Sequence, residues 1–386
     1  MATRVRSYSK INLGLAVGPP RPDGFHGLTT VYQTLALHDF VTVEARPAAE
    51  TIITLTADHT GVPSSTRGDA HKNTAYRIVA GALKRLWLDA TVSIDIEKRL
   101  PVQGGMGAGS ANAAAALLGL ERELGVKLPE SERLELAAEV GSDVPLFLLG
   151  GTVLGLGRGE IVSRLSDLPI KHVVIAVPEV GVSTALAFQE LDRRMMEGIP
   201  QGLKPPSLVT SYGTAKAMPL TRRDADGGAK AQPLQNDPGK TGYSLTFQQG
   251  TDRLEMLSRA LAAIWTPSAA EHDSSGIASP VSTEQSGDLA ENQLLALVRT
   301  GIENDFEEVV FSQHPSLRQI KRELVGSETS GRPLCAGLSG SGSALFGLYG
   351  SQADARAAQQ RVQQSGTRAI LTETLPRELY WSNMFL

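Results

Sequence analysis

Cysteine is nearly absent from this 386-residue chain, with Cys335 the only one. A lone thiol closes no intramolecular disulfide and supplies no zinc knuckle, which excludes a disulfide-stapled secreted scaffold and fits a reducing compartment. Cys335 itself reads as a buried structural thiol. The 7 histidines are scattered, with no His-Glu-x-x-His pair, so a protein-held transition metal is not expected. There is no excess of charge of one sign either. Lys plus Arg number 37 against 41 Asp plus Glu, a formal charge of -4, which creates no global field for a nucleic-acid backbone or an anionic membrane. Long apolar runs are missing too, because the uncharged stretches 101–120 and 333–353 are crowded with Gly and Ser and carry Asn or Gln. Arg4, Arg6 and Lys10 ahead of residues 11–17 only mimic a secretory leader, since Asn12 interrupts the apolar stretch and Pro19-Pro20-Arg21-Pro22 replaces a small-residue cleavage site. The expectation is a soluble cytoplasmic protein with no nucleic-acid or membrane partner; monomer and homodimer both stay open.

What is present is enough chain for more than one core: 386 residues, 41% of them apolar and 20% charged. Residues 5–17 and 31–45 are predicted strands joined by a Pro/Asp/Gly-rich loop at 18–27, with further strands at 51–56 and 91–96. Between the last two, Ala75, Ile78, Val79, Ala82 and Leu86 fall on one face of a helix over 74–86. Helices follow at 110–124 and 131–140, and a buried strand at 172–177. From Gly198 to about Gly287 dispersed prolines and polar, Gly/Ser-rich sequence predict a flexible insertion, relieved by one amphipathic helix through Leu254, Leu257, Leu261 and Ile264. Helical patterns at 292–298, 306–310 and 353–362 with strands at 344–349 and 368–372 make a second α/β unit.

The glycines are unevenly spent. Twelve of the 39 lie in three short stations, 104–109, 150–159 and 337–342, and such clustering needs a reason. Gly104-Gly105-Met106-Gly107-Ala108-Gly109-Ser110 runs into an Ala-rich helix, where close backbone approach, free amides and the helix dipole favour phosphate. A tight turn with Ser110 as a plain helix cap is the structural alternative. Three familiar loops fail on spacing. Gly239-Lys240-Thr241 has Leu234 where a Walker loop needs glycine, and residues 98–103 separate the first station from its preceding strand, against a dinucleotide fingerprint. No Gly-x-Ser-x-Gly elbow surrounds Ser339, Ser341 or Ser343, which leaves kinase chemistry.

Ser9-Lys10-Ile11-Asn12-Leu13, then Pro101 with Gly105-Met106-Gly107-Ala108-Gly109-Ser110-Ala111, then Leu338-Ser339-Gly340-Ser341-Gly342-Ser343 resemble, in order, the three motifs of the GHMP small-molecule kinases. Pro22-Asp23-Gly24-Phe25-His26, Gly141-Ser142-Asp143-Val144-Pro145-Leu146-Phe147, Gly157-Arg158-Gly159-Glu160 and Asn304-Asp305-Phe306-Glu307 look like the branch that phosphorylates a cytidine-diphosphate sugar alcohol in isoprenoid precursor biosynthesis. The resemblance covers residues 1–192 and about 289–386. It implies an α+β two-domain fold: a ribosomal-protein S5 domain 2-like, ATP-binding part over 1–165, and a ferredoxin-like part over 166–386 that contains the insertion.

By the same resemblance ATP is the phosphoryl donor and Asp143 the general base toward a hydroxyl of the sugar alcohol, with Lys10 as its charged partner. Pro101, Gly104, Gly105, Met106, Gly107, Ala108, Gly109, Ser110 and Ala111 are matched to ATP. Phe25, His26 and Phe188 are matched to the cytosine, as stacking walls and a directional polar contact. Asn12 and Lys98 are matched to the alcohol and phosphate region, and Gly340, Ser341 and Gly342 to the acceptor side. Mg²⁺ is implied by the need to neutralise ATP, with Ser110 its candidate ligand. The chain departs from the family pattern at Phe25, where tyrosine is common, and at Ala108 and Ala111, where Gly or Ser is usual. Other family kinases, of mevalonate or homoserine type, and a catalytically silent binding protein are the remaining alternatives; the Phe25-His26 pair argues against acceptors that carry no pyrimidine.

Overall fold

The computed structural model describes residues 2–21, 23–102, 104–197, 303–326 and 331–386. Pro22, the insertion with its helix through Leu254 to Ile264, Gly239-Lys240-Thr241 and the helix expected at 292–298 lie outside the described residues.

One long antiparallel hairpin organises the first half. Strand β1 (Thr3–Pro20) pairs with β2 (His26–Pro47), and the ladder runs on to Pro20↔His26. The connection is therefore shorter than the loop read from sequence. Pro19 and Pro20 are tolerated because β1 pairs with β2 alone in its sheet and lies at an edge, where a missing backbone donor costs little. Strand β2 then serves two partners: residues 40–47 pair with β4 (Ala90–Glu97), and residues 28–33 with β5 (Thr152–Gly157). Strand β3 (Ile52–Ala57) lies parallel to β4, and β6 (Ile161–Arg164) antiparallel to β5. Residues 152–157, read from sequence only as a glycine station, are thus a strand of this six-stranded sheet, their low intrinsic strand preference overridden by pairing on both sides.

The parallel β3–β4 pair needs a crossover, which α1 (Thr74–Leu86) supplies. Asn73 caps it by accepting the Ala75 N–H, and Ala75, Ile78, Val79, Ala82 and Leu83 are its buried face. Helix α2 (Ala108–Leu124) is buried continuously from Ala111 to Glu121, as an Ala-rich helix with little side-chain bulk can be. Helix α3 (Glu130–Val140) and the single turn α4 (Val144–Phe147) follow, with Asp143 immediately ahead of α4.

The second sheet is four-stranded and antiparallel, in the order β10-β7-β9-β8, from β7 (His172–Val177), β8 (Cys335–Leu338), β9 (Leu345–Tyr349) and β10 (Arg368–Glu373). Cys335, expected buried, is half-buried at the start of β8. Helices α5 (Thr184–Glu197), α6 (Phe306–Gln313), α7 (Pro315–Val325) and α8 (Gln352–Gln364) accompany the sheet, with Leu191, Val310, Leu317, Leu324 and Ala358 in one apolar cluster with Val174 and Leu345. Two sheets with their helices give the mixed α/β architecture expected from sequence. A second cluster, containing Ile11, Leu35, Met106, Val173, Ala344 and Phe346, joins the two sheets. None of the helices among the described residues is long and apolar enough to cross a membrane.

The chain then returns to its start, which no sequence motif announces. Helix α9 (Arg377–Ser382) leads to a bridge between Phe385 and Val5, and the Arg6 N–H donates to Met384 O at 2.8 Å. Tyr380, fully buried, donates its hydroxyl to Phe147 O at 2.6 Å, and Trp381 Nε1 donates to Leu149 O at 3.0 Å. Burial raises the Tyr380 phenol far above its ordinary value, so it stays a donor. The turn α4 behind Asp143 is thereby anchored from the C-terminus. Changing Tyr380 to Phe leaves the Phe147 carbonyl unpaired in the core, which costs about 1–3 kcal/mol. Urea unfolding of the variant is expected to show that loss as a lower midpoint with an unchanged slope.

Candidate active site

Lys10 lies mid-strand on β1 opposite Thr34 and is only 2% exposed. A buried ammonium is costly unless paired and hydrogen-bonded, and this one is both. Its Nζ donates to Asn12 Oδ1 at 2.7 Å and stands 3.2 Å from Asp143 Oδ2. Asn12 is held in turn, its Nδ2 donating to Thr30 Oγ1 at 2.8 Å, while the Thr30 hydroxyl donates to Gly14 O at 2.7 Å. The Asp143 side chain is 29% exposed, so the carboxylate faces Lys10 on one side and open space on another. Two residues far apart in sequence meet here because α2 to α4 fold back over the hairpin.

The first glycine station sits against the same strand, with the Lys10 N–H donating to Met106 O at 3.1 Å. Gly107, at φ 71°, is the N-cap of α2, and no side chain caps the helix. Ser110 therefore lies inside the first turn and is not the cap. The leading amides of such a helix lack i−4 carbonyls and are available to an anion. The third station packs directly on the first. A Cβ at Gly105 would stand 2.0 Å from Ser339 O, so only glycine allows the approach. Ser339 Oγ donates to Gly105 O at 3.0 Å, and the Ala344 N–H to Gly104 O at 3.3 Å. Ser341 Oγ is 2.7 Å from Thr184 Oγ1 at the start of α5.

Residues 304–307 brace this turn from behind. Asn304 Nδ2 donates to Leu338 O and Gly340 O, at 2.8 and 2.7 Å. Asp305 accepts the Val17 N–H and Glu307 the Leu338 N–H, each at 2.8 Å. Gly340 comes close to Asn12, since a Cβ added there would lie 3.6 Å from Asn12 Oδ1. Lys10, Asn12, Asp143, the loop 104–110 and the turn 339–343 thus form one group.

Other matched residues stand apart from that centre or contribute backbone alone. Met106 and Ala111 put their side chains into the cores, at 1% and 2% exposure, and Ala111 N–H is spent on Gly107 O. The missing hydroxyl at Ala111 therefore concerns a core-facing position. Pro101 is half-buried ahead of the loop. Lys98, matched by resemblance to the substrate, is paired instead with Asp39: Nζ and Oδ2 are 2.5 Å apart, with side chains 5% and 0% exposed. The same carboxylate accepts the Arg99 and Leu100 N–H groups at 2.7 Å each, so Lys98 neutralises a buried acid and does not join the Lys10–Asp143 group.

The aromatic residues form a second group. Phe25 is half exposed, with the Arg158 guanidinium 4.8 Å above its ring. His26 is buried, and its ring stacks on Phe188 with centroids 4.8 Å apart and planes at 25°. Phe188 meets Phe306 edge-on at 4.8 Å. His26 Nδ1 is 2.9 Å from Gly18 O, a carbonyl that only accepts, so this nitrogen carries a hydrogen; Nε2 faces Asp192 Oδ1 at 3.3 Å. Sequence reasoning missed Asp192, Arg158 and Tyr32, whose hydroxyl donates to Asp143 Oδ1 at 2.9 Å. Only the run Gly157-Arg158-Gly159-Glu160 pointed toward one of them; Tyr32 and Asp192 sit in an ordinary strand and helix with nothing local to mark them. A cavity of about 440 Å³ between His38, Arg99, His172 and Glu373 contains none of the matched residues.

Comparison with known proteins bears on this arrangement. Residues 73–151 match the GHMP kinases N terminal domain and residues 286–368 the GHMP kinases C terminal domain. The 4-diphosphocytidyl-2-C-methyl-D-erythritol kinase of Solibacter usitatus is 32% identical over 350 residues, covering 89% of this chain and 80% of that protein. The enzyme of the same name from Streptomyces avermitilis is 38% identical over 267 residues, 68% of this chain and 84% of that protein. Among solved structures, a 4-(cytidine 5'-diphospho)-2C-methyl-D-erythritol kinase superposes with TM-score 0.57 at 23% identity, covering 96% of this chain and 99% of that one. A homoserine kinase from Cytophaga hutchinsonii gives TM-score 0.60 at 17% identity, with 97% and 95% covered. The structural likenesses establish the fold, and sequence identity along most of both chains narrows it further: the chain belongs to the GHMP kinases, in the 4-diphosphocytidyl-2-C-methyl-D-erythritol kinase family.

Proposed function

We propose that this protein is a cytoplasmic small-molecule kinase that transfers the γ-phosphoryl group of ATP to the 2-hydroxyl of 4-diphosphocytidyl-2-C-methyl-D-erythritol, a step of isoprenoid precursor synthesis. The observation that carries the reading is the buried Lys10 held against a partly open Asp143 beside two abutting glycine turns. The names and the extent of the Solibacter and Streptomyces relatives support the same acceptor.

In this reading residues 1–165 carry the ATP-binding part and residues 166–386 the remainder of the enzyme. Asp143 accepts the proton of the acceptor hydroxyl as its oxygen bonds to phosphorus. Lys10, 3.2 Å from that carboxylate, lies where charge develops on the reacting oxygens. Asn12, hydrogen-bonded to Lys10 and Thr30, fixes the ammonium. The loop 104–110 and the first turn of α2 receive the phosphates of ATP through backbone amides. Among the described residues no group of three or more His, Cys, Asp and Glu side chains is arranged to hold a metal ion. A nucleotide-borne Mg²⁺ takes most of its ligands from phosphate oxygens and water, and Ser110, in the first turn of α2, would supply one protein oxygen. When bound, the ion neutralises charge on the transferred group.

Phe25, His26 and Phe188 supply the pyrimidine site. His26 and Phe188 are in contact with each other, so the base stacks beside this pair and not between its members. Arg158 over Phe25 adds a cation next to the base wall, suited to the acceptor's diphosphate.

An ATP-consumption assay run in parallel with the cytidyl alcohol, mevalonate and homoserine tests the reading; turnover is expected with the first alone, and turnover only with another acceptor, or with none, overturns it. Asp143→Asn is expected to bind ATP normally in calorimetry while losing about 10²- to 10⁴-fold in kcat. Lys10→Met is expected to lower kcat severely as well. For His26→Ala the expected outcome is a larger rise in KM for the cytidyl substrate than for ATP, whereas equal rises would make His26 a support of the fold.

A further inference from the structure

Tyr32 has no part in the motifs above, yet three observations meet on it. The first is its hydroxyl, which donates to Asp143 Oδ1 at 2.9 Å, while Lys10 Nζ approaches the other oxygen, Oδ2, at 3.2 Å. With one neutral and one charged partner on different oxygens, the carboxyl group is fixed in its rotation. The ring is 2% exposed and its centroid lies 5.4 Å from the same ammonium, so Tyr32 borders the base and its counterion together.

The second observation accounts for two of the five glycines in the station 150–159, Gly155 and Gly159, neither of which lies in the loop 104–110 or the turn 339–343. Strand β5 pairs with the stretch of β2 that carries Tyr32, and there the glycines make room for the phenol. A Cβ at Gly155 would stand 2.4 Å from Tyr32 Cε2, and one at Gly159 2.4 Å from Tyr32 Oη. Real side chains never approach so closely, so both positions exclude larger residues while Tyr32 keeps its place. Gly159 also adopts φ 101°, which glycine alone takes without strain.

The third observation is the cost of the oxygen. Phenylalanine would fill the same space without a buried hydroxyl to satisfy. Burial, and secondarily the negative charges of Asp143 and Glu160, push the phenol well above its ordinary value, so it keeps its proton and remains a donor.

We propose that Tyr32 is a positioning residue for the phosphoryl transfer: its hydroxyl sets the rotation of the Asp143 carboxylate so that a free lone pair meets the acceptor hydroxyl, and Gly155 and Gly159 seat its ring. The inference rests on Asp143 being the general base. In the transfer the acceptor's proton passes to Asp143, and Tyr32 neither gains nor loses one.

The test is a double-mutant cycle with Tyr32→Phe and Asp143→Asn, read with ATP and the cytidyl alcohol. Tyr32→Phe alone is expected to lower kcat about ten- to hundredfold, the scale of a misplaced reacting group, with both KM values within about twofold. In the Asp143→Asn background the same change should cost nothing further, because the group it positions no longer acts as a base. Gly155→Ala keeps the hydroxyl but pushes on the ring, and is expected to repeat the kcat-selective loss; it also serves if Tyr32→Phe does not fold. Full kcat in folded Tyr32→Phe or Gly155→Ala overturns the proposal, as does an equal loss in both backgrounds, the mark of a purely structural role. An inactive Asp143→Asn beside a fully active Tyr32→Phe would refute this inference alone, whereas a fully active Asp143→Asn would refute the base assignment and the inference with it.

Discussion

A charged ammonium buried to 2% exposure is the constraint around which the molecule is arranged. Left unpaired inside a protein, such a group costs several kcal/mol, so its partners must arrive together when the chain folds. Asn12 comes from the same strand, but Asp143 comes from the far end of two helices, α2 and α3, and the Met106 carbonyl that takes the Lys10 N–H comes from the loop before them. Satisfying Lys10 therefore requires the hairpin, α2, the turn before α4 and, through Gly105 and Ser339, the second sheet to be in place at once. One electrostatic demand thus ties the geometry of the candidate site to complete folding.

The same economy holds at the periphery of the site. The C-terminal residues return to pin α4 through Tyr380 and Trp381, so the backbone that presents Asp143 is fixed from both sides. Asn304, Asp305 and Glu307 spend their side chains on backbone groups of β1 and of the turn 338–340, holding the third glycine station against the first. Residues that look functional by their polarity are here the frame that lets less conspicuous backbone amides line the site. Lys98 follows the same logic: its charge is consumed by a buried Asp39 that also collects the amides leading into the loop 104–110.

Much of this was legible in the chain itself. Periodicity gave α1 with the bounds Thr74–Leu86, and β4, β7 and β10 to within a residue or so, because each has a clear buried face or a continuous apolar run. The glycine run before an Ala-rich segment announced the loop and α2, since local backbone freedom and helix propensity are properties of short segments. By resemblance, Lys10 and Asp143 could be named as partners. Strand β5 and helix α9 were not legible: β5 carries glycines that depress its local preference, and α9 is one short turn with a single buried residue.

What the sequence determined by itself is therefore part of the inventory: the strongly patterned helices and strands, where a glycine loop opens a helix, and the family to which those motifs belong. Tertiary structure alone decided the pairings between distant residues. It put Lys98 on Asp39, stacked His26 on Phe188, and brought Tyr32 to Asp143 through a gap left by Gly155 and Gly159. The physical reason is range. Propensity, capping and amphipathic spacing act over a few residues of one chain segment, whereas the partner of a buried charge or hydroxyl is whichever group the packing of separate elements delivers within about 3 Å.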